Sequence, residues 1–172
     1  MQPTPTTFAL ASMDLLPGGV FVSGERRRSF SLRPVTGELE MRMAEFPDDH
    51  MPLHLKVTEL LCASLSEIGG ATASRDTVQR MCVADRQFVL RKLLIELGQD
   101  DVWLSGACGC GENFDAHLAL SQLPVQEAIE YPQTCVQTSV GRLWVRVPEG
   151  VDQGCLATAK GTMRFWRSRR VW

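Results

Sequence analysis

Val83-Ala84-Asp85-Arg86-Gln87-Phe88-Val89-Leu90-Arg91-Lys92-Leu93 runs through Asp101-Val102-Trp103-Leu104 into Cys108-Gly109-Cys110-Gly111, and out along Phe114-Asp115-Ala116-His117-Leu118-Ala119-Leu120 to Leu123-Pro124-Val125. Leu90, Leu93, Leu94 and Leu97 recur at three-and-four spacing, which predicts a helix ended by Gly98, and Asp85 stands where an N-cap belongs. Asp85-Arg86 is therefore read as a cap with an exposed partner. Beyond the helix, two short apolar segments flank the glycine-rich turn at Cys108 and Cys110, as the arms of a hairpin do. A helix followed by antiparallel strands of this kind defines an α+β class.

The same class follows on either side. Leu16-Pro17-Gly18-Gly19 is a turn signal before Val20-Phe21-Val22, and a second turn at Ser23-Gly24-Glu25 leads into the alternation Ser29-Phe30-Ser31-Leu32-Arg33, so an N-terminal β-hairpin is expected. Thr36 is placed to cap a short helix through Glu38 to Glu45, with acids in the first turn and an end before Pro47. Val57, Leu60, Leu61, Leu65 and Ile68 predict a second helix from His54 to Ile68, stopped by Gly69-Gly70. A further helix is expected from about Asp76 to Met81. Thr134 to Val140 and Leu143 to Val147 read as another strand pair, turning at Gly141-Arg142. Residues 1–14 are expected to form a flexible lead-in, 15–160 a single α+β domain, and 161–172 a basic, aromatic appendage.

Bulk properties narrow the function. With 172 residues, 44% hydrophobic and 22% charged, the composition is that of a soluble globular domain, and no apolar run approaches the roughly 20 residues of a membrane helix. No secretory signal pattern opens the chain, so a cytoplasmic protein with its six cysteines reduced is expected. The net charge of -2 conceals an asymmetry. Five of the 18 cations (Lys160, Arg164, Arg167, Arg169, Arg170) lie in residues 156–172, leaving 13 basic against all 20 acidic residues, or -7, on the body.

Few residues offer chemistry. Cys108 and Cys110 are the first candidate ligands for structural zinc, which takes four thiolate or imidazole ligands; Cys135, Cys155 or His117 would have to complete the set. The alternative is a glycine-rich turn with two incidental thiols. Disulfide exchange would need an activated thiolate, and the neighbouring Glu112 and Asp115 are expected to oppose it. His117 falls on the strand face opposite Phe114 and Leu118, as a solvent or interface residue would. No nucleophile elbow, phosphate loop, zinc-protease helix or dinucleotide fingerprint occurs, so no enzyme activity is expected. Trp103 and the tail aromatics Phe165, Trp166 and Trp172 are candidate partner-binding residues. A second reading is a zinc-knuckle module that binds nucleic acid through the basic tail by phosphate contacts and stacking.

Taken in order, Leu16-Pro17-Gly18-Gly19, Phe30 to Glu40, Val83 to Leu93, Cys110-Gly111 with Phe114-Asp115, Leu123-Pro124-Val125 and Arg146-Val147-Pro148-Glu149-Gly150-Val151-Asp152-Gln153 resemble the T-even-type phage baseplate proteins and their relatives in contractile injection system clusters. The similarity spans about residues 15 to 157. It implies a small non-enzymatic factor in assembly of the baseplate hub, a component or a chaperone, with hub or spike proteins as partners. The pattern departs in two places. Relatives show Cys-Pro-x-Cys-Gly, which puts their first cysteine at Ala107, and they continue after the Gly150 segment with a helical region where this chain changes character at Gly161. A truncated or frameshifted end is the expectation, and a neighbouring reading frame without a helical continuation would count against it.

Overall fold

Strand β1 (Asp14–Val22) pairs antiparallel with β2 (Glu25–Leu32), but the pairing is interrupted: Leu15 faces Ser29 and Val20 already faces Arg27. The computed structural model describes residues 14–45, 51–127 and 130–158. The stretch expected to be a turn, Leu16-Pro17-Gly18-Gly19, is thus a bulge inside β1, with four residues set against one. Its backbone groups find side-chain partners instead of a ladder. Arg28 Nε donates to Leu16 O at 2.7 Å, Arg26 Nη2 to Pro17 O at 3.1 Å and Nε to Gly18 O at 2.6 Å, while Gly18 and Gly19 N–H each donate to a carboxylate oxygen of Asp85 at 2.7 Å. Buried backbone polar groups must be satisfied somewhere, and here charged side chains do it.

Gly19 is at φ +99, and a Cβ there would lie 2.6 Å from Arg27 O. Gly19→Ala therefore combines left-handed strain with a backbone clash, and a loss of about 2–3 kcal/mol, read as a lower urea midpoint, is expected.

Helix α1 (Gly37–Ala44) is capped by Thr36, which accepts from Leu39 N. Helix α2 (Leu53–Ser64) stops four residues earlier than its apolar spacing predicts, because Leu65–Ile68 leaves the helix as strand β3 and pairs with β2 through Phe30 and Ile68. Both Leu65 and Ile68 still reach the core; sheet pairing, not the helical period, places them there. Gly69-Gly70 turns β3 into the short β4 (Ala71–Thr72), completing a four-stranded sheet in the order β1-β2-β3-β4. Helix α3 (Arg75–Arg80) follows, then α4 (Val83–Glu96), whose N-cap is Cys82 and not Asp85. Leu16, Val20, Phe30, Leu61, Leu65, Ile68, Val78, Met81 and Val89 form the core between sheet and helices.

Asp85 and Arg86 correct the sequence reading most. Both are buried, at 0% and 1% exposure, in the first turn of α4. Asp85 reaches the bulge of β1, while Arg86 donates to Val78 O (3.0 Å), His54 O (3.1 Å) and Thr58 Oγ1 (2.9 Å). Its Nη1 also approaches Gly150 so closely that a Cβ there would be 2.3 Å away. Gly150 opens helix α5 (Gly150–Thr158), an element the sequence reading did not anticipate. Val83 N donates to Pro148 O and Gly150 N to Met81 O, which ties the α5 entry to the start of α4. Three of the motifs that carry the resemblance, at residues 16–19, 83–93 and 146–153, therefore contact one another around the start of α4.

The fold is α+β, with two separate antiparallel pairs outside the main sheet: β5 (Asp101–Ala107) with β6 (Asn113–Ala119), and β7 (Gln133–Thr138) with β8 (Gly141–Arg146). The second pair turns at Ser139-Val140, two residues before the expected Gly141-Arg142, so that Gly141 already faces Thr138. Among the described residues no helix is long and apolar enough to cross a membrane. Of the lead-in expected at residues 1–14, Asp14 already belongs to β1, while residues 1–13 and the appendage at 161–172 lie outside the described residues.

Candidate interaction surfaces

The β5–β6 hairpin springs from the end of α4, where Gly98 N–H donates to Ile95 O. Its base is clamped by Asp100, whose carboxylate accepts from Ser121 N at 2.7 Å and Ser121 Oγ at 2.6 Å. These bonds, the hydroxyl's first, hold the Asp100 carboxyl below its ordinary value. Paired residues on an antiparallel ladder share a face. The register therefore puts Val102 with Leu118, Leu104 with Ala116 and Gly106 with Phe114 on one side, and Trp103 with His117 and Ser105 with Asp115 on the other. The first side is apolar along its length, with the Phe114 ring laid over Gly106, yet Leu104 stays 50% and Phe114 53% exposed. On the second side Trp103 is 70% exposed, its ring 4.9 Å from that of His117, and His117 Nε2 lies 3.1 Å from Asp101 Oδ1. His117 thus sits on the face its parity predicts.

The β7–β8 hairpin repeats the pattern. Thr134 with Val145 and Val136 with Leu143 form an apolar face, while Cys135 with Trp144, flanked by Gln133, Arg146, Gln137 and Arg142, form the other. Val136, Leu143 and Val145 are all exposed, and Trp144 is 71% exposed. Arg146 holds the base, donating to both Asp152 oxygens at 2.8 and 2.9 Å and lying 3.0 Å from Glu149 Oε1. The Asp152 carboxyl is kept low by the Glu149 N–H and then by Arg146. Trp144 was missed in the sequence. The signal was present in Leu143-Trp144-Val145, an uninterrupted apolar run in a strand expected to alternate; among the described residues no third strand pairs with this ribbon.

Between hairpin and body, Tyr131 stacks on Phe21 at 5.9 Å and lies under Arg26 at 5.1 Å. Burial, with the charges of Cys82, Asp85 and Glu149 adding to it, pushes the Tyr131 hydroxyl far up. Apart from such attachments, the arms of each hairpin pack chiefly on each other. Two-stranded ribbons are marginal in water without a covering layer.

The proposed metal ligands are dispersed. Cys108 and Cys110 share the β5–β6 tip and are exposed, but Cys135 is in β7 and Cys155 in α5, and among the described residues no three His, Cys, Asp or Glu side chains gather as a metal site. The tip is closed by Cys108 N donating to Glu112 O at 2.8 Å and Gly111 N to Cys108 O at 2.9 Å. The Cys108 thiol is lowered, not raised as its acidic neighbours suggested, because the Cys110 N–H, the Cys110 thiol and the Gly109 N–H hydrogen-bond its sulfur. Asp115 is occupied by Ser105 Oγ at 2.6 Å. Phe165, Trp166 and Trp172 lie outside the described residues. Neither a protein-family model nor a curated protein nor a solved structure matches the chain.

Proposed function

We propose that this protein is a non-enzymatic assembly factor, component or chaperone, of the baseplate hub of a contractile phage tail or phage-derived injection particle, and that it acts by protein–protein recognition. The observation that supports this reading is the pair of hairpins, each with exposed apolar side chains on one face and an exposed tryptophan on the opposite face. Contiguous exposed apolar surface on a folded body is what partner proteins cover, and Trp and Phe are the side chains that most often anchor such contacts. The family resemblance supplies the partner class: hub or spike proteins. The buried charged residues Asp85 and Arg86 hydrogen-bond to groups of other elements and so join parts of the scaffold.

Co-expression of the tagged chain with its genomic neighbours tests this. Recovery of hub or spike proteins at defined stoichiometry is expected. Leu104→Asp with Phe114→Asp should weaken capture by roughly 30-fold or more, while the circular dichroism spectrum is unchanged, since both side chains are already half in water. Unaltered capture by the double variant, or retention of nucleic acid with steep salt dependence in place of tail proteins, would sink the proposal.

A further inference from the structure

Helices α2, α4 and α5 leave a cavity of about 580 Å³ between them, within the roughly 300–1,000 Å³ of small-molecule sites. Leu53 and Val57 of α2, Leu90 of α4 and Ala157 of α5 give it apolar walls. Its polar lining includes Gln87, Gln153 and Arg86, and among the described residues none of its lining side chains is acidic. Arg86 is the unusual member. It is 1% exposed, its guanidinium is met only by two carbonyls and a hydroxyl, and its Nε has no partner. A buried cation without a counter-ion is unfavourable by itself, and an apolar cavity beside it screens its field poorly. From this juxtaposition we infer that the α2–α4–α5 cavity is a binding site for a small molecule with an apolar body and a single carboxylate.

The carboxylate supplies the charge that the protein withholds, with Arg86 Nε–H as the donor still unused, and the apolar body lies along Leu53, Val57 and Leu90. The bonds from Nη1 to Val78 O and from Nη2 to His54 O and Thr58 Oγ1 fix the guanidinium beforehand, so little ordering is left for binding to offset. The charge also sets the selectivity. A neutral molecule of the same shape gains only the apolar contact, and a cation is repelled. This site is separate from the hairpin faces and does not depend on the partner proposed for them.

The test titrates the full chain with phenylbutyrate, its neutral counterpart phenylbutanol and the cation phenylbutylamine, following backbone amide shifts by NMR. Phenylbutyrate should saturate shifts in α2, α4 and α5, bind roughly tenfold or more tighter than the alcohol, and leave the amine without measurable binding. In Arg86→Met the acid and the alcohol should bind within about threefold of each other. Leu53, 76% exposed at the cavity, provides a variant pair that spares the core. Leu53→Glu should weaken the acid roughly threefold more than Leu53→Gln does, with the alcohol affected equally by both. No saturable shift with the acid, shifts confined to the hairpins, equal binding of acid and alcohol to the parent chain, or an acid preference that survives in Arg86→Met would overturn the assignment. Should Arg86→Met fail to fold, equal acid affinity in the two Leu53 variants would overturn it as well.

Discussion

Asp85→Ala is expected to lose about 2–6 kcal/mol, because it leaves two buried N–H donors, those of Gly18 and Gly19, without an acceptor at about 1–3 kcal/mol each. Domains of this size are stable by only about 5–15 kcal/mol, so a urea midpoint shifted by a large fraction of its parent value, or a chain recovered only as aggregate, is the anticipated result. Asp85→Asn keeps one acceptor and turns an N–H donor toward the other donor, so its loss should be smaller but clear. The pH dependence adds a second readout. Burial, set against the hydrogen bonds from Gly18 and Gly19, raises the Asp85 carboxyl above its ordinary 3.8 in the folded chain. The folded state then holds a proton in the window where the unfolded state has released it, so this residue's contribution is fully present below 3.8 and declines as pH rises through the raised value. The parent's advantage over Asp85→Ala should shrink with rising pH across that window. An advantage that grows instead would mean that the two N–H bonds outweigh the burial.

Periodicity carried far in this chain where it met no competitor. Thr36, Leu90, Leu93 and Gly98 mark α1 and α4 in the sequence, and the arms of both outer hairpins are legible from their alternation. It failed where long-range pairing decides. Leu65 and Ile68 fit a helical stripe, yet β2 recruits them as a strand; Pro17-Gly18-Gly19 has turn composition, yet Asp85, distant in sequence, stabilises it as a bulge. Gly150 gives no local sign of a helix start whose place depends on the guanidinium it packs against. The open apolar faces were half legible. Each strand's parity shows which residues share a face, but only the absence of a third strand beside either described pair shows that the faces are uncovered.

Arg86 offers the sharper experiment, because volume and charge can be separated there. Arg86→Ala removes a nearly fully buried side chain from between α2, α3, α4 and α5, and by analogy with other large-to-small core changes it should cost about 3–5 kcal/mol. Arg86→Met keeps most of the length and discards the charge. Among the described residues that charge is met by two carbonyls and a hydroxyl, with no carboxylate, and its Nε has no partner. The groups it would leave behind are not orphaned: His54 O still accepts from Thr58 Oγ1 at 2.9 Å, and Val78 O from Met81 N at 3.3 Å. Desolvating a cation that lacks a counter-ion is unfavourable, so Arg86→Met should fall within about 1.5 kcal/mol of the parent, on either side. If Met proves as damaging as Ala, the guanidinium's bonds, and not its bulk, join the helices. The distinction reaches the hairpins, since β5–β6 leaves from the far end of α4, and β8 returns to Gly150 directly against Arg86. If the bonds fix that junction, Arg86→Met should also weaken partner capture in step with Arg86→Ala, whereas if bulk suffices, capture should survive in Met and fail only in Ala.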